Sequence, residues 1–331
     1  MNTDMAPARP ALRDVGALLR HAEEQARLAA AMPVLVRQRI APDGAMVLRE
    51  DDLSLTGGFV DSIARHLIAA LCPHDRPVDP AQIAQHVVLA DSAATRLLFA
   101  RAIEARLCRN APLVGLAMAE LPPRVEDQVA DAQDELAETA MALIIAQSRF
   151  VGNAQGFAIE LAELPPETLS ALVQRMLGWL QDQPGTDPLV LRASADALLA
   201  NFDERRGRPH RLMRFCHLFA LPRAGDDWSL AQSGPSLVFA MLARVSHLPS
   251  EHLIDMVRDP DLARLAVVVR GCGIAVDTAT LLLQGIALLA SHAVDTLPTA
   301  SALAAIAQDD AARIVAGWRN LLPFDAPGPV W

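Results

Sequence analysis

Apolar residues recur every three or four positions along most of this chain, and the recurrence restarts behind a proline five times. Pro80 opens PAQIAQHV, Pro122 opens PPRVEDQV, Pro165 opens PPETLSALV, Pro209 opens PHRLMRFC and Pro249 opens PSEHLIDMV. Behind them stand Ile83 and Val87; Val125 and Val129; Leu169, Leu172 and Val173; Leu212 and Cys216; Leu253 and Val257. Each set marks one face of a helix. Proline suits the first helical turn, where its missing N–H has no partner to lose. The five prolines are spaced by 42, 43, 44 and 40 residues, and Leu121, Leu164 and Leu248 precede three of them. A period of about 40–47 residues with two or three helices is that of HEAT- and armadillo-type solenoids.

Second helices are predicted over 91–109, 189–201, 235–245 and 261–269. Between Pro122 and Pro165 the pattern predicts one long helix, 124–150. Upstream it predicts a helix over 11–32, a turn at Ala41-Pro42-Asp43-Gly44, and a helix capped by Thr56 and running to about Leu71. Downstream it predicts 277–293 with Asp277 as cap, a short helix from Thr299, and 309–322. The resulting expectation is an all-α chain. Residues 1–10 read as a disordered leader, 11–75 as an N-terminal helical segment, 76–322 as a HEAT-like α-solenoid, and 323–331 as a Pro-rich tail ending on Trp331. The alternative is an irregular multi-helix domain.

Composition agrees with the helical reading. Hydrophobic residues make up 52% of the 331 positions but aromatics only 4%, so Ala and Leu fill the core, which suits closely spaced helices. All 29 basic residues are Arg, and Tyr is absent as well as Lys. Without Lys there is no P-loop lysine, no protein-kinase ATP lysine, no Schiff-base aldolase and no ordinary pyridoxal-phosphate enzyme. No HExxH, GxSxG or GxGxxG occurs, and no Glu-x-x-His to build a di-iron carboxylate site. A net charge of −10 argues against a general nucleic-acid ligand. The start, MNTDMAPARP, lacks a basic and then apolar signal-peptide pattern. The apolar stretch 278–293 is short for a membrane span and holds Gln284 and His292. A cytoplasmic setting with reduced thiols is therefore expected.

The run MLARVSHLPSEHLIDMVRDPDLARLAVVVRGCGIA carries a resemblance. Its apolar spacing, with Pro249, Arg258-Asp259-Pro260 and Gly273, resembles the bacterial domain of unknown function 2336 family, most clearly over 230–290. The resemblance implies a helical, HEAT-like, cytoplasmic protein. It implies no activity and no functional residues.

Three groups of residues are candidates for chemistry. Cys72, His74, Asp75 and His86 have ligand-type side chains near a loop, although no CxxC or HxxxH pairs them, and a solvent-facing His beside a buried thiol is the ordinary reading. Arg205, Arg206, Arg208, Arg211 and Arg214, with His210, gather at a loop and helix start, a composition suited to an anion or an acidic partner. Glu126, Asp127, Asp131, Asp134, Glu135 and Glu138 form an acidic face with like-charge pairs four apart, which weaken a helix slightly. Both charge groups also read as solvated surface. They could meet within one molecule or between two copies. Together they point to a non-catalytic interaction or regulatory module with a protein partner, a second copy included. No cofactor is predicted. The alternative is a helical sensor or enzyme holding a metal, haem or anion among its helices.

Overall fold

The computed structural model describes residues 15–29, 32–40, 48–72, 78–116, 122–131, 135–183, 187–219 and 228–321. Among them every regular element is helical. In order they are α1 (Val15–Ala29), α2 (Met32–Ile40), α3 (Glu50–Leu71), α4 (Pro80–Ile83), α5 (Ser92–Asn110), α6 (Pro123–Asp131), α7 (Glu135–Gln155) and α8 (Pro166–Gln181). There follow α9 (Pro188–Asn201), α10 (Arg208–Leu218), α11 (Leu230–Ser246), α12 (Ser250–Asp255), α13 (Ala263–Gly271), α14 (Val276–Leu289), α15 (Ala300–Ala305) and α16 (Gln308–Leu321). Short 3-10 turns at Leu161–Glu163 and Glu204–Arg206 precede α8 and α10. The leader 1–10, the tail 323–331, His74 and Asp75 lie outside the described residues. No described helix is long and apolar enough to cross a membrane.

The proline register holds at all five openings. Pro80 and Pro209 sit in the first turns of α4 and α10, while Pro165 and Pro249 are the cap residues of α8 and α12. Pro122 immediately precedes α6. Several other starts are fixed by side-chain caps: Asp91 accepts from the Ala94 amide at 2.9 Å, and Asp187 and Thr299 cap α9 and α15 likewise.

Several boundaries differ from the sequence reading. Asp277 does not cap a helix over 277–293: α14 begins at Val276 behind Ala275, holds Asp277 in its first turn and ends at Leu289. Thr56 does not cap a helix: α3 begins at Glu50, where Glu50, Asp51 and Asp52 complement the helix dipole, and the Thr56 hydroxyl bonds back to Asp52 O at 2.6 Å. The long helix expected over 124–150 is two helices. Val125 of α6 lines one small cavity with Leu143 and Ile144 of α7. A continuous helix would hold Val125 and Leu143 about 27 Å apart at 1.5 Å per residue. Among the described acidic residues, Glu126, Asp127 and Asp131 thus stand on α6, and Glu135 and Glu138 on α7, which packs against it.

Packing is organised round α5. Its Phe99, Ala100, Ile103 and Leu107 belong to one apolar cluster, and its Leu98, Ala102, Ala105 and Cys108 to another. The first cluster joins Leu18 and Val36 to α11, α13, α14 and Trp318, and the second joins α3 to α8 and α9. The described residues of 11–75 therefore share their core with the rest of the chain. Helix α1 packs on α13, and α5 touches α2, α3, α7, α8, α11 and α12. In a solenoid each unit touches only its neighbours. This packing follows the multi-helix domain more closely than an open row of HEAT-like pairs. Between the two apolar faces of α5, helical geometry leaves two seams, one holding Glu104 and the other Thr95 and Arg106.

Candidate functional site

Gly207, the cap of α10, sits where another backbone crosses. A Cβ there would stand 2.1 Å from Ala162 O, so only glycine lets the Leu161–Glu163 turn lie on the start of α10. That approach brings Glu163 to Arg208. The Arg208 guanidinium donates to Glu163 at 3.0 and 2.9 Å, to Glu104 of α5 at 2.6 and 3.0 Å, and to Gln147 of α7 at 3.2 Å. It stacks 3.7 Å over the Phe150 ring. Arg101 adds a second cation, donating to Glu104 at 2.9 Å. Its Nε lies 3.2 Å from Glu163 Oε2, an ion pair without an aligned hydrogen bond.

Two arginines and two glutamates, all buried, therefore make a neutral quartet. Gln147 Nε2 extends it to the Ser236 hydroxyl of α11 at 3.1 Å. Burial by itself would raise the Glu104 pKa. The charges of Arg208 and Arg101 and hydrogen bonds from Arg208 and Ser236 outweigh burial and hold it at about 2. The same carboxylates raise the Arg208 pKa against its own burial. A second buried set has Arg264 on Asp259 at 2.7 and 2.8 Å and on Asp255 at 3.3 Å. A third pairs Arg106 with Asp52 at 2.6 and 3.2 Å.

Arg208 and Glu163 of the quartet line a narrow cleft between α7 and α10. Four arginines line it, Arg149, Arg206, Arg208 and Arg211, against two glutamates, Glu160 and Glu163. Its interior is about 20 Å³, room for one water-sized group. Arg149 and Arg206 are exposed and make no ion pair among the described residues. Arg211 is partly buried and donates to Ala142 O at 2.9 Å.

The predicted arginine cluster thus divides. Arg205 and Arg206 are exposed. Arg208 leaves the surface set, because it is 2 % exposed and fully committed to Glu104 and Glu163. Arg214 pairs with Glu135 in the same molecule, so the basic cluster and the acidic face do meet. Glu126, Asp127 and Glu138 are exposed; Asp134 and the Asp131 side chain lie outside the description. Cys72 is buried, whereas His86 is exposed. Among the described residues no three His, Cys, Asp or Glu are placed to hold a metal ion. Cys108 and Cys216 are buried and Cys272 is partly so. Burial pushes the Cys216 and Cys272 thiols up to about 12, against a smaller opposing pull from Arg244 and Arg319 respectively.

The sequence reading missed Arg149, Glu104, Glu163 and Gln147. Arg149 stands alone in an apolar stretch more than fifty residues before the cluster it joins. Glu104 did carry a signal: in ARAIEARLC the apolar residues surround the helix, so some charge in it had to be buried. No protein-family model matches the chain, and neither a curated protein nor a solved structure matches it.

Proposed function

We propose that this protein is a non-catalytic docking module that holds an acidic segment of a partner protein in the arginine cleft. The observation that carries the reading is the convergence of Arg149, Arg206 and Arg211 on one narrow opening. They come from α7, from the turn before α10, and from α10 itself. On a chain of net charge −10, unpaired like charges gathered at one point favour an oxyanion. Arg208 stands behind them, neutralised and rigid, and gives the cleft a fixed floor. The resemblance over 230–290 and a cytoplasmic, bacterial setting belong to the same reading and rest on the sequence.

The test uses a fluorescent glutamate-rich peptide and anisotropy on the full chain. Binding is expected to weaken as salt rises, since exposed charges are screened. Arg149→Ser with Arg206→Ser is expected to reduce affinity at least about tenfold, with stability within about 0.5 kcal/mol of the parent. An unchanged affinity in that variant would overturn the reading and return the arginines to a role in solubility.

A further inference from the structure

A second, wider cleft lies on the other side of the Leu161–Glu163 turn. Its interior is about 300 Å³, the lower end of the range for ligand-holding pockets. Leu97, Leu164 and Met213 give it an apolar floor, and Glu167, Glu204 and Glu251 stand round it. Those three carboxylates come from α8, the turn before α10, and α12, and none makes an ion pair among the described residues. Ala162 and Glu163 belong to both clefts, so the two share one wall. Sites of opposite sign therefore sit side by side.

We infer that the two clefts together read a mixed-charge peptide segment, whose acidic residue enters the arginine cleft and whose Lys or Arg enters the glutamate cleft. This rests on the docking function proposed above and specifies its partner. The sizes agree with the assignment. The narrow cleft admits a carboxylate oxygen and little more. The wide one accommodates an aliphatic stem along its apolar floor, with the cationic head among the carboxylates at its rim. Arg101, 3 % exposed, lines the wide cleft, and its charge is balanced by Glu104 and Glu163. Its Nε–H has no aligned acceptor. That atom is enclosed beside the Glu163 carboxylate, so the charge a bound segment meets in this cleft is that of Glu167, Glu204 and Glu251.

Three labelled peptides of equal length separate the possibilities: one acidic, one basic, and one with both charges a few residues apart. On the full chain the mixed peptide is expected to bind about tenfold tighter than the acidic one, the worth of one charge-assisted hydrogen bond. The triple variant Glu167→Gln, Glu204→Gln, Glu251→Gln is expected to abolish that gain and leave the acidic peptide's affinity unchanged. All three substitutions are on partly or fully exposed side chains, and a thermal melt checks that the fold is intact. If the acidic peptide binds but the mixed one binds no tighter, or if the gain survives in the triple variant, the inference fails while the docking function stands. If no peptide binds, both fail. If a simple alkyl diamine displaces the mixed peptide at equal concentration, the wide cleft is a small-cation site and the peptide assignment is wrong.

Discussion

Replacing Arg208 by Met tests whether the quartet holds the two cores together. Met keeps much of the length and apolar body of the side chain and removes the charge. Glu104 and Glu163 would then share the single cation of Arg101, and four hydrogen bonds to carboxylate oxygens would be lost. Removing one partner of a buried pair costs about 3–5 kcal/mol. The ionisation of Glu104 supports that scale. Its pKa is held at about 2 instead of 4.5, and at about 1.4 kcal/mol per unit this is worth about 3 kcal/mol. The variant should therefore melt on the order of 5–10 °C below the parent at pH 7. A folded pKa below the unfolded one contributes stability that is present above pH 4.5 and declines as pH falls towards 2. The difference between parent and variant should shrink over the same window. Adding Glu104→Gln and Glu163→Gln to Arg208→Met should recover most of the loss, because a neutral core replaces stranded charges. A single variant that melts with the parent, or a loss unchanged between pH 7 and pH 3, would refute the reasoning.

Three further outcomes follow from the packing. Gly207→Ala should destabilise by more than about 2 kcal/mol in a urea titration, since its Cβ meets Ala162 O at 2.1 Å and neither backbone can yield without parting Glu163 from Arg208. Asp91→Ala should cost about 1 kcal/mol or more, because Asp91 caps α5 and also accepts from Arg175 at 3.2 Å. Cys216 and Cys272, with thiols pushed up to about 12, should resist a thiol reagent at pH 8 for as long as the chain is folded, and mass spectrometry of labelled peptides reads this directly.

Local chemistry made the helix starts legible. A proline without an amide, or an aspartate before an apolar run, acts on the adjacent turn and needs no tertiary context. Pro80, Pro165, Pro209 and Pro249 accordingly stand at helix starts, and the helices expected from Asp91 and from Thr299 begin there with those residues as caps, whereas Thr56 and Asp277, read as caps, lie inside α3 and α14. Reversals inside a helical pattern were not legible. Residues 124–150 keep a helical period throughout, so no breaker separates α6 from α7. The contact of Val125 with the α7 side is a tertiary fact. Repeat spacing misled in a related way. Equal intervals between helix starts do not say which helices touch, and α5 gathers partners from both ends of the chain.

The candidate site divides along the same line. A string of arginines advertises positive charge but not where each side chain goes. In the run Arg205-Arg206-Gly207-Arg208, the glycine is the informative residue. It looks like a turn former, yet its φ is −73°, which any residue adopts, so conformational freedom does not explain it. The closeness of Ala162 O does. That contact joins positions 45 residues apart in the two partners it brings together, Glu163 and Arg208, and no local pattern encodes such a crossing. Once it is made, Arg208 turns inward to the charge on α5, and Arg206 and Arg211 on either side of it are left facing Arg149. The burial of one arginine is thus what builds the cleft from the others. For that reason the docking test replaces Arg149 and Arg206 and leaves Arg208 intact: its loss would collapse the floor and measure folding instead of binding.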